Sequence, residues 1–259
     1  MNRLIFILSF LFLGQSILSA NMNFRFSFFH PVIKKKVFII GASTVRYDYD
    51  DKRVGWGTAL CEYNMNDADD CFNEARRGAT AENYKIMNNT IRQTKGDAYW
   101  DKTKQLIDDN VDLRGGFLLI QFGGNDNIQK VPKDVFMQEL KVYIDEAKDF
   151  GLTPILITPI NSRYMVNGHL YNTRGKFPDY VKELAEKEDV ILLDLHQKSM
   201  DEFSKLTKEE LAEEFGAIPT SSGYIDITHF NLNGAKIVAN WVQELACEKS
   251  DSLCKQFKD

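Results

Sequence analysis

Ser43 stands in Gly41-Ala42-Ser43-Thr44, directly after the apolar run Val37-Phe38-Ile39-Ile40. A serine that follows a glycine at a strand-to-loop turn can expose its hydroxyl at the rim of a sheet. A hydroxyl becomes a useful nucleophile only when a base takes its proton. The chain has four histidines for that role, His30, His169, His196 and His229. His30 lies in a poorly patterned segment and His169 in a loop, while His196 directly follows an apolar run and is a second rim candidate. His229 occurs in Asp226-Ile227-Thr228-His229-Phe230-Asn231, with a carboxylate three residues upstream that can hold its ring. Serine, histidine and aspartate in these relations carry out acyl transfer. Taken singly, each of these signals is also ordinary turn chemistry.

The elements that must position these residues are legible in the apolar patterning. Val37–Ile40, Phe117–Ile120, Pro154–Ile157 and Val190–Leu193 are short runs without polar interruption, as strands buried on both faces of a parallel sheet require. Cys71-Phe72-Asn73 is a shorter candidate. Between them, Phe136, Leu140, Tyr143, Ile144 and Ala147 recur at helical spacing over 134–150, with Gly151 as the stop. Thr207 and Glu210 form a capping box ahead of Leu211, and Gly216 closes that helix. Further helices are expected over 181–188 and 235–246. Strands alternating with helices predict an α/β fold with helices on both faces of a parallel sheet. In such sheets ligands bind at the carboxyl ends of the strands. Those ends deliver Ser43, the segment Asn73-Glu74-Ala75-Arg76-Arg77-Gly78, and Gln121-Phe122-Gly123-Gly124-Asn125-Asp126 to one rim.

Composition narrows the function classes. The chain has 259 residues, 44% hydrophobic and 27% charged, as in ordinary globular proteins and unlike disordered or fibrous ones. Its net charge of −5 argues against a nucleic-acid binder with a broad basic face. Arg3, the apolar run Leu4–Leu13 and the small residues at Ser19-Ala20 read as a cleavable export signal over 1–20, too short to span a membrane. Residues 21–36 read as a linker. Nothing later in the chain is apolar enough to cross a bilayer, and no repeat or linker interrupts 37–246, so one domain is expected. Export makes disulfides the expected state of the four cysteines. Local pairing joins Cys61 to Cys71 and Cys247 to Cys254, with other pairings and buried thiols as alternatives. Neither pair has zinc-knuckle spacing, and no metal site is expected.

Together, Gly41-Ala42-Ser43, Gly78, Gly124-Asn125-Asp126 and Asp226-x-x-His229 resemble, in order and spacing, the four blocks of the SGNH (GDSL) hydrolases over about residues 36–246. Within that superfamily the chain looks most like the rhamnogalacturonan acetylesterase group. Gly55-Trp56-Gly57, Asn73-x-Ala75-x-x-Gly78-x-Thr80, Gln121 to Asp126, Thr158-Pro159 and Thr228-His229-Phe230-Asn231 with Gly234-Ala235 carry that likeness. The resemblance implies an α/β/α sandwich around a central five-stranded parallel sheet, flavodoxin-like, with residues 37–259 as the hydrolase domain. It also implies a serine esterase in which Ser43 is the nucleophile, His229 the base and Asp226 the residue orienting it. The amides of Ser43 and Gly78 and the side chain of Asn125 would form the oxyanion hole. Two positions depart from the family: its usual Asp before the serine is Ala42, and the segment after Gly78 reads Ala79-Thr80-Ala81-Glu82-Asn83 instead of being rich in Arg and Ser.

The resulting expectation is an exported enzyme, secreted or periplasmic, that removes acetyl groups from carbohydrate hydroxyls without a cofactor. Its partner would be an acetylated poly- or oligosaccharide rather than nucleic acid or membrane. An O-acetyltransferase or esterase of cell-envelope glycans, and a glycan-binding module with decayed machinery, are the alternatives. Tyr47, Tyr49 and Tyr164 are candidates for stacking on sugar rings. The acidic groups Asp48–Asp51 and Asp67–Asp70 lack an EF-hand pattern and read as solvated loops. Asn88-Asn89-Thr90 fits a glycosylation triplet.

Overall fold

The computed structural model describes residues 34–46, 52–86, 99–112, 115–220 and 222–258. The expected export signal, linker residues 21–33, His30, Tyr47, Tyr49, the acidic run 48–51 and the triplet 88–90 lie outside the described residues.

Five parallel strands form the central sheet: β1 (Lys36–Gly41), β2 (Cys71–Asn73), β3 (Gly116–Gln121), β4 (Leu152–Ile157) and, as seventh strand of the chain, β7 (Ile191–Leu193). Their order is β2-β1-β3-β4-β7, with Val37 opposite Phe117 and Leu119 opposite Ile155. Between β4 and β7 lies the hairpin β5 (Met165–Val166) and β6 (His169–Leu170); a second hairpin, β8 (Ile218–Pro219) and β9 (Ile225–Asp226), precedes the last long helix.

The uninterrupted apolar runs are explained by burial on both faces, since side chains alternate along a strand. Val37, Ile39, Phe117, Leu119, Ile155 and Ile157 enter one core. Phe38, Ile40, Leu118, Ile120 and Leu156 enter the other. The second core is covered by α2 (Tyr99–Asn110), α4 (Lys133–Asp149) and α5 (Phe177–Glu188); the Phe136, Leu140, Tyr143, Ile144, Ala147 stripe of α4 is wholly buried there. The first is covered by α1 (Trp56–Ala59), α6 (Leu195–Phe203), α7 (Lys208–Phe215) and α8 (Leu232–Lys249). Two short helices, α3 (Gly124–Gln129) and α9 (Asp251–Cys254), complete the set.

Element ends differ from the sequence pattern where polar groups decide them. Helix α8 starts three residues before the apolar pattern, because the Asn231 side chain accepts from the Gly234 amide at 2.7 Å and caps it. Strand β7 starts one residue late, because the Val190 amide still belongs to the end of α5, bonded to Ala185 O. The Thr207–Glu210 capping box forms as the sequence indicates. Disulfides join Cys61 to Cys71 (Cα–Cα 5.3 Å), tying edge strand β2 to the turn of π-helix after α1, and Cys247 to Cys254 (4.5 Å), pinning α9 against α8. Among the described residues no helix is long and apolar enough to cross a membrane.

Candidate active site

Strands β1 and β3 are the point where the chain order reverses, and both end at the same rim. Beyond β1, Ala42 O accepts from the amides of Val45 (3.0 Å) and Arg46 (3.2 Å), a tight turn that holds Ser43. Gln121, the buried last residue of β3, clamps that turn to its neighbours. Its Oε1 accepts from Trp56 Nε1 (3.0 Å) and Thr44 Oγ1 (3.3 Å), and its Nε2 donates to Thr158 O (3.1 Å) beyond β4. From β2, Asn73 Nδ2 donates to Val45 O at 3.1 Å. Gly55 passes so close that a Cβ there would lie 2.1 Å from Val45 O, so no larger residue fits. The residues around the motif blocks are therefore the clamps of the serine turn.

Asp226 ends β9, and His229 follows it before α8. His229 Nε2 lies 2.8 Å from Ser43 Oγ, and His229 Nδ1 lies 2.8 Å from Asp226 Oδ2. The Asp226 carboxyl also accepts from the amides of Thr228 (2.9 Å) and His229 (3.0 Å) through Oδ1, and from Arg53 Nε (2.9 Å) through Oδ2. Burial alone would raise its pKa, but hydrogen bonds from the His229 ring and these amides outweigh that and hold it well below the usual carboxylate range. Asp226 is thus ionised and only accepts, so His229 Nδ1 is the donor. The neutral ring then has its lone pair on Nε2, facing the Ser43 hydroxyl.

Two arginines brace this loop. Arg53 is buried and forms an ion pair with Asp226, with side chains 9% and 10% exposed. Arg163 Nη2 donates to the backbone carbonyls of Gly216 (3.3 Å), Asp226 (3.1 Å) and His229 (2.9 Å), and its guanidinium lies over the Phe215 and Phe230 rings. Both escape sequence reasoning, because an arginine in a loop looks like the solvated surface residue it usually is.

Across the rim, Asn125 Nδ2 donates to Ala79 O at 2.8 Å with one of its two hydrogens. Asp126 is fully buried, accepting from Gly123 N (2.8 Å) and Ala81 N (2.9 Å), and burial raises its pKa to about 6. These bonds fix the Gly123–Asp126 turn to the segment after Gly78. Gly123 takes φ 116°, and a Cβ there would meet Pro159 at 2.9 Å. Gly78 also has positive φ, 79°, in the turn after β2.

These parts enclose a cavity of about 330 Å³, lined by Ser43, Asp226 and His229 together with Asn125, Phe122, Ile128, Pro159, Ile160 and Arg174. Gly78 lies outside that lining. His196 is not part of it either: it sits in the first turn of α6, buried, with Nδ1 3.2 Å from Pro159 O. Tyr164 packs edge-on against Tyr171 near the β5–β6 hairpin, away from the cavity lining. Asp67 and Asp70 pair with Lys34 and Lys36.

The profile of the GDSL-like lipase/acylhydrolase family matches residues 37–242. The chain belongs to this family. Among curated relatives of this GDSL hydrolase, the probable rhamnogalacturonan acetylesterase YesY of Bacillus subtilis is 28% identical over 235 residues, 85% of this chain and 98% of YesY. Rhamnogalacturonan acetylesterase RhgT of the same organism is 28% identical over 233 residues, 84% of this chain and 94% of RhgT. Of solved structures, a Bacillus subtilis protein superposes with a TM-score of 0.65 at 22% identity, covering 84% of this chain and 57% of that one. Axe2, an acetylxylan esterase from Geobacillus stearothermophilus, gives 0.53 at 17% identity, covering 82% and 93%. At these identities the structures speak to the shared fold. In the GDSL hydrolase the β2-β1-β3-β4-β7 order is that of a doubly wound sheet, with the serine turn at its switch point.

Proposed function

We propose that the protein is an exported serine esterase that hydrolyses acetyl esters on carbohydrate hydroxyls, like the rhamnogalacturonan acetylesterases it resembles, through an acyl-serine intermediate. The observation that carries this reading is the continuous line from Asp226 Oδ2 through the His229 ring to Ser43 Oγ, each step 2.8 Å, opening into a cavity. The family membership and the two acetylesterase relatives support the acyl chemistry and the carbohydrate substrate. The apolar segment Leu4–Leu13 and the two disulfides support export to a secreted or periplasmic location.

In this mechanism Ser43 Oγ attacks the acetyl carbonyl as its proton passes to His229 Nε2. The oxyanion is met by the amides of Ser43 and Gly78 and by Asn125 Nδ2, whose second hydrogen is not used by Ala79 O. Collapse breaks the ester bond to the sugar oxygen, which takes the proton from His229 and leaves as the free hydroxyl. Water, deprotonated by His229, then attacks acetyl-Ser43; acetate departs and the serine is restored. Asp226 stays ionised and stabilises the imidazolium that forms in each half. The exposed apolar side chains of Ile128 and Ile225 at the cavity mouth offer surface to the apolar faces of a sugar ring.

The experiment is acetate release from acetylated pectin, xylan and peptidoglycan, with Ser43→Ala as control. Release from at least one polysaccharide, lost in Ser43→Ala, is expected. Release that survives in Ser43→Ala removes the acyl-serine mechanism, and no release from any carbohydrate removes the substrate class.

A further inference from the structure

The β5–β6 hairpin is a built element that carries an apolar outer face beside the cavity. Asn167 and Gly168, its two connecting residues, both have positive φ, 51° and 78°, as the tightest hairpin turns require. Met165 pairs with Leu170, and both pack against the core. Because side chains alternate along a strand, Tyr164, Val166, His169 and Tyr171 fall on the opposite face. Solvent favours polar residues there, yet Tyr164, Val166 and Tyr171 are 47%, 41% and 59% exposed. The two tyrosine rings meet edge-on at 6.1 Å, which fixes them relative to each other while leaving each about half open.

The feet of this hairpin are cavity wall. Asn161 clamps them together: its Nδ2 donates to Ser162 O and Tyr171 O, both at 2.9 Å, and its Oδ1 accepts from the Thr173 amide (2.8 Å) and hydroxyl (2.9 Å). Ile160 before the hairpin and Arg174 after it both line the cavity, joined by a hydrogen bond from Arg174 Nε to Ile160 O. The Arg163 amide donates to Ile227 O (2.9 Å), and Ser162 Oγ shares a hydrogen bond with Thr228 Oγ1 (2.9 Å). Ile227 and Thr228 line the cavity too, so the hairpin springs directly from its rim.

Exposed apolar surface gathers around this rim. Of nine exposed large hydrophobic side chains among the described residues, six (Ile128, Tyr164, Val166, Tyr171, Tyr224 and Ile225) belong to the cavity mouth or to the two hairpins. Such concentration marks a surface that meets a partner. Between Tyr164 and Asn172 there is no Lys, Arg, Asp or Glu, and the exposed polar groups are Asn167, His169 and Asn172. Aromatic rings among neutral hydrogen-bonding groups match a sugar ring, which has apolar C–H faces and a rim of hydroxyls. A membrane surface would instead call for lysines and arginines. We propose that the outer face of the β5–β6 hairpin is a subsite for the substrate chain: with the acetylated residue at Ser43, neighbouring sugar residues of the same strand lie across Tyr164 and Tyr171. The size of the cavity supports an occupant that extends beyond it. At about 330 Å³ it is at the small end of ligand pockets, which span ~300–1,000 Å³, so the rest of a polysaccharide must cross the rim. Tyrosine suits the task, because a ring with two rotatable bonds loses little freedom when it is covered.

The subsite presupposes the esterase reading above, and the two fail differently. The probes are p-nitrophenyl acetate, an acetylated rhamnogalacturonan disaccharide and longer acetylated oligosaccharides of the same polymer. Wild-type kcat/KM is expected to rise with chain length, mainly through KM. Tyr164→Ala and Tyr171→Ala should each lower the long-to-short ratio of kcat/KM by about 3–10-fold, the scale of one aromatic contact. Tyr164→Phe and Tyr171→Phe should keep the ratio, since the ring and not the hydroxyl does the stacking. Calorimetry on Ser43→Ala protein should show the same length dependence in affinity without turnover. A wild-type kcat/KM that is the same for the disaccharide and the longer chains overturns the subsite and leaves the esterase reading intact. Alanine variants that lose the same proportion of activity on every substrate, p-nitrophenyl acetate included, overturn it as well, since that is what a structural hairpin would do. So does a change of oligomeric state by light scattering with the length dependence retained, which would make the face a contact between copies of the chain. Acetate release that persists in Ser43→Ala counts against the acyl-serine mechanism and not against the hairpin.

Discussion

Replacing Asp226 by Asn tests the site most severely, because one carboxylate serves four donors. Oδ1 accepts from the Thr228 and His229 amides, and Oδ2 accepts from His229 Nδ1 and Arg53 Nε. An asparagine can present its oxygen to only one of these pairs, and its NH₂ then faces two donors. Turning the NH₂ toward Arg53 is the worse choice, since it opposes a buried cation, so the oxygen is expected to stay with His229 and Arg53. The histidine tautomer then survives, but the negative charge does not. At a separation of about 4 Å and an effective dielectric near 20, that charge is worth roughly 4 kcal/mol to an imidazolium. This corresponds to about 10³ in kcat. If the amide does turn, Nδ1 becomes an acceptor, Nε2 carries the proton, and the loss approaches ~10⁴. The buried ion pair of Arg53 with Asp226 is meanwhile lost, at a cost of up to about 3–5 kcal/mol in folding. The sign of the pH effect follows. Asp226 has a depressed folded pKa, so its contribution is complete above the unfolded value of ~3.9 and is lost as pH falls below it. Hydrolysis of p-nitrophenyl acetate and urea melts at pH 7 and pH 3 are the assays. The variant should lose 10³–10⁴ in kcat and several kcal/mol at pH 7, and the stability gap should narrow at pH 3. A turnover loss below tenfold, or a gap that is the same at both pH values, refutes the reasoning.

Asn125→Ala should lower kcat by about 10²–10³ with KM little changed, whereas a purely architectural Asn125, holding Ala79 O, would lower the melting temperature and spare turnover. Asp126, whose folded pKa is raised to about 6, works in the opposite sense to Asp226: stability should decline as pH rises from ~3.9 to about 6, and a carboxyl resonance titrating near pH 6 by NMR checks it. Removing either disulfide should cost about 2–3 kcal/mol in the loop-entropy estimate, for separations of 10 and 7 residues, read as a lower urea midpoint in each Cys→Ser pair. Gly55→Ala should prevent the serine turn from closing and abolish activity, seen as loss of both p-nitrophenyl acetate hydrolysis and cooperative unfolding.

The parts of the fold legible in the sequence are those set by burial alone. Residues buried on both sheet faces must be apolar, so the long strands and the α4 stripe announce themselves. Helix α2, by contrast, buries only Trp100, Thr103 and Ile107 among many charges, too thin a stripe to stand out. Helices α1 and α3 are only four and six residues long, and the two hairpins have two-residue strands, below the length at which a pattern can be read. At the site, Ser43, Asn125, Asp226 and His229 were accessible because glycine and turn residues mark strand ends. His196 looked like a rim residue because it follows β7 so closely, but the chain turns at once into α6 and carries its ring under Pro159. Arg53, Arg163 and Arg174 were invisible because their roles depend on partners 173, 63 and 14 residues away in the chain.

The central claim is that acetyl transfer passes through Ser43. Treating the protein with a serine-directed phosphonate and mapping the adduct by mass spectrometry tests it most directly. One adduct, on the peptide carrying Ser43, with p-nitrophenyl acetate hydrolysis lost in step, is the predicted result, and Ser43→Ala should be neither labelled nor active. An adduct on another residue, or hydrolysis retained by Ser43→Ala, would contradict it.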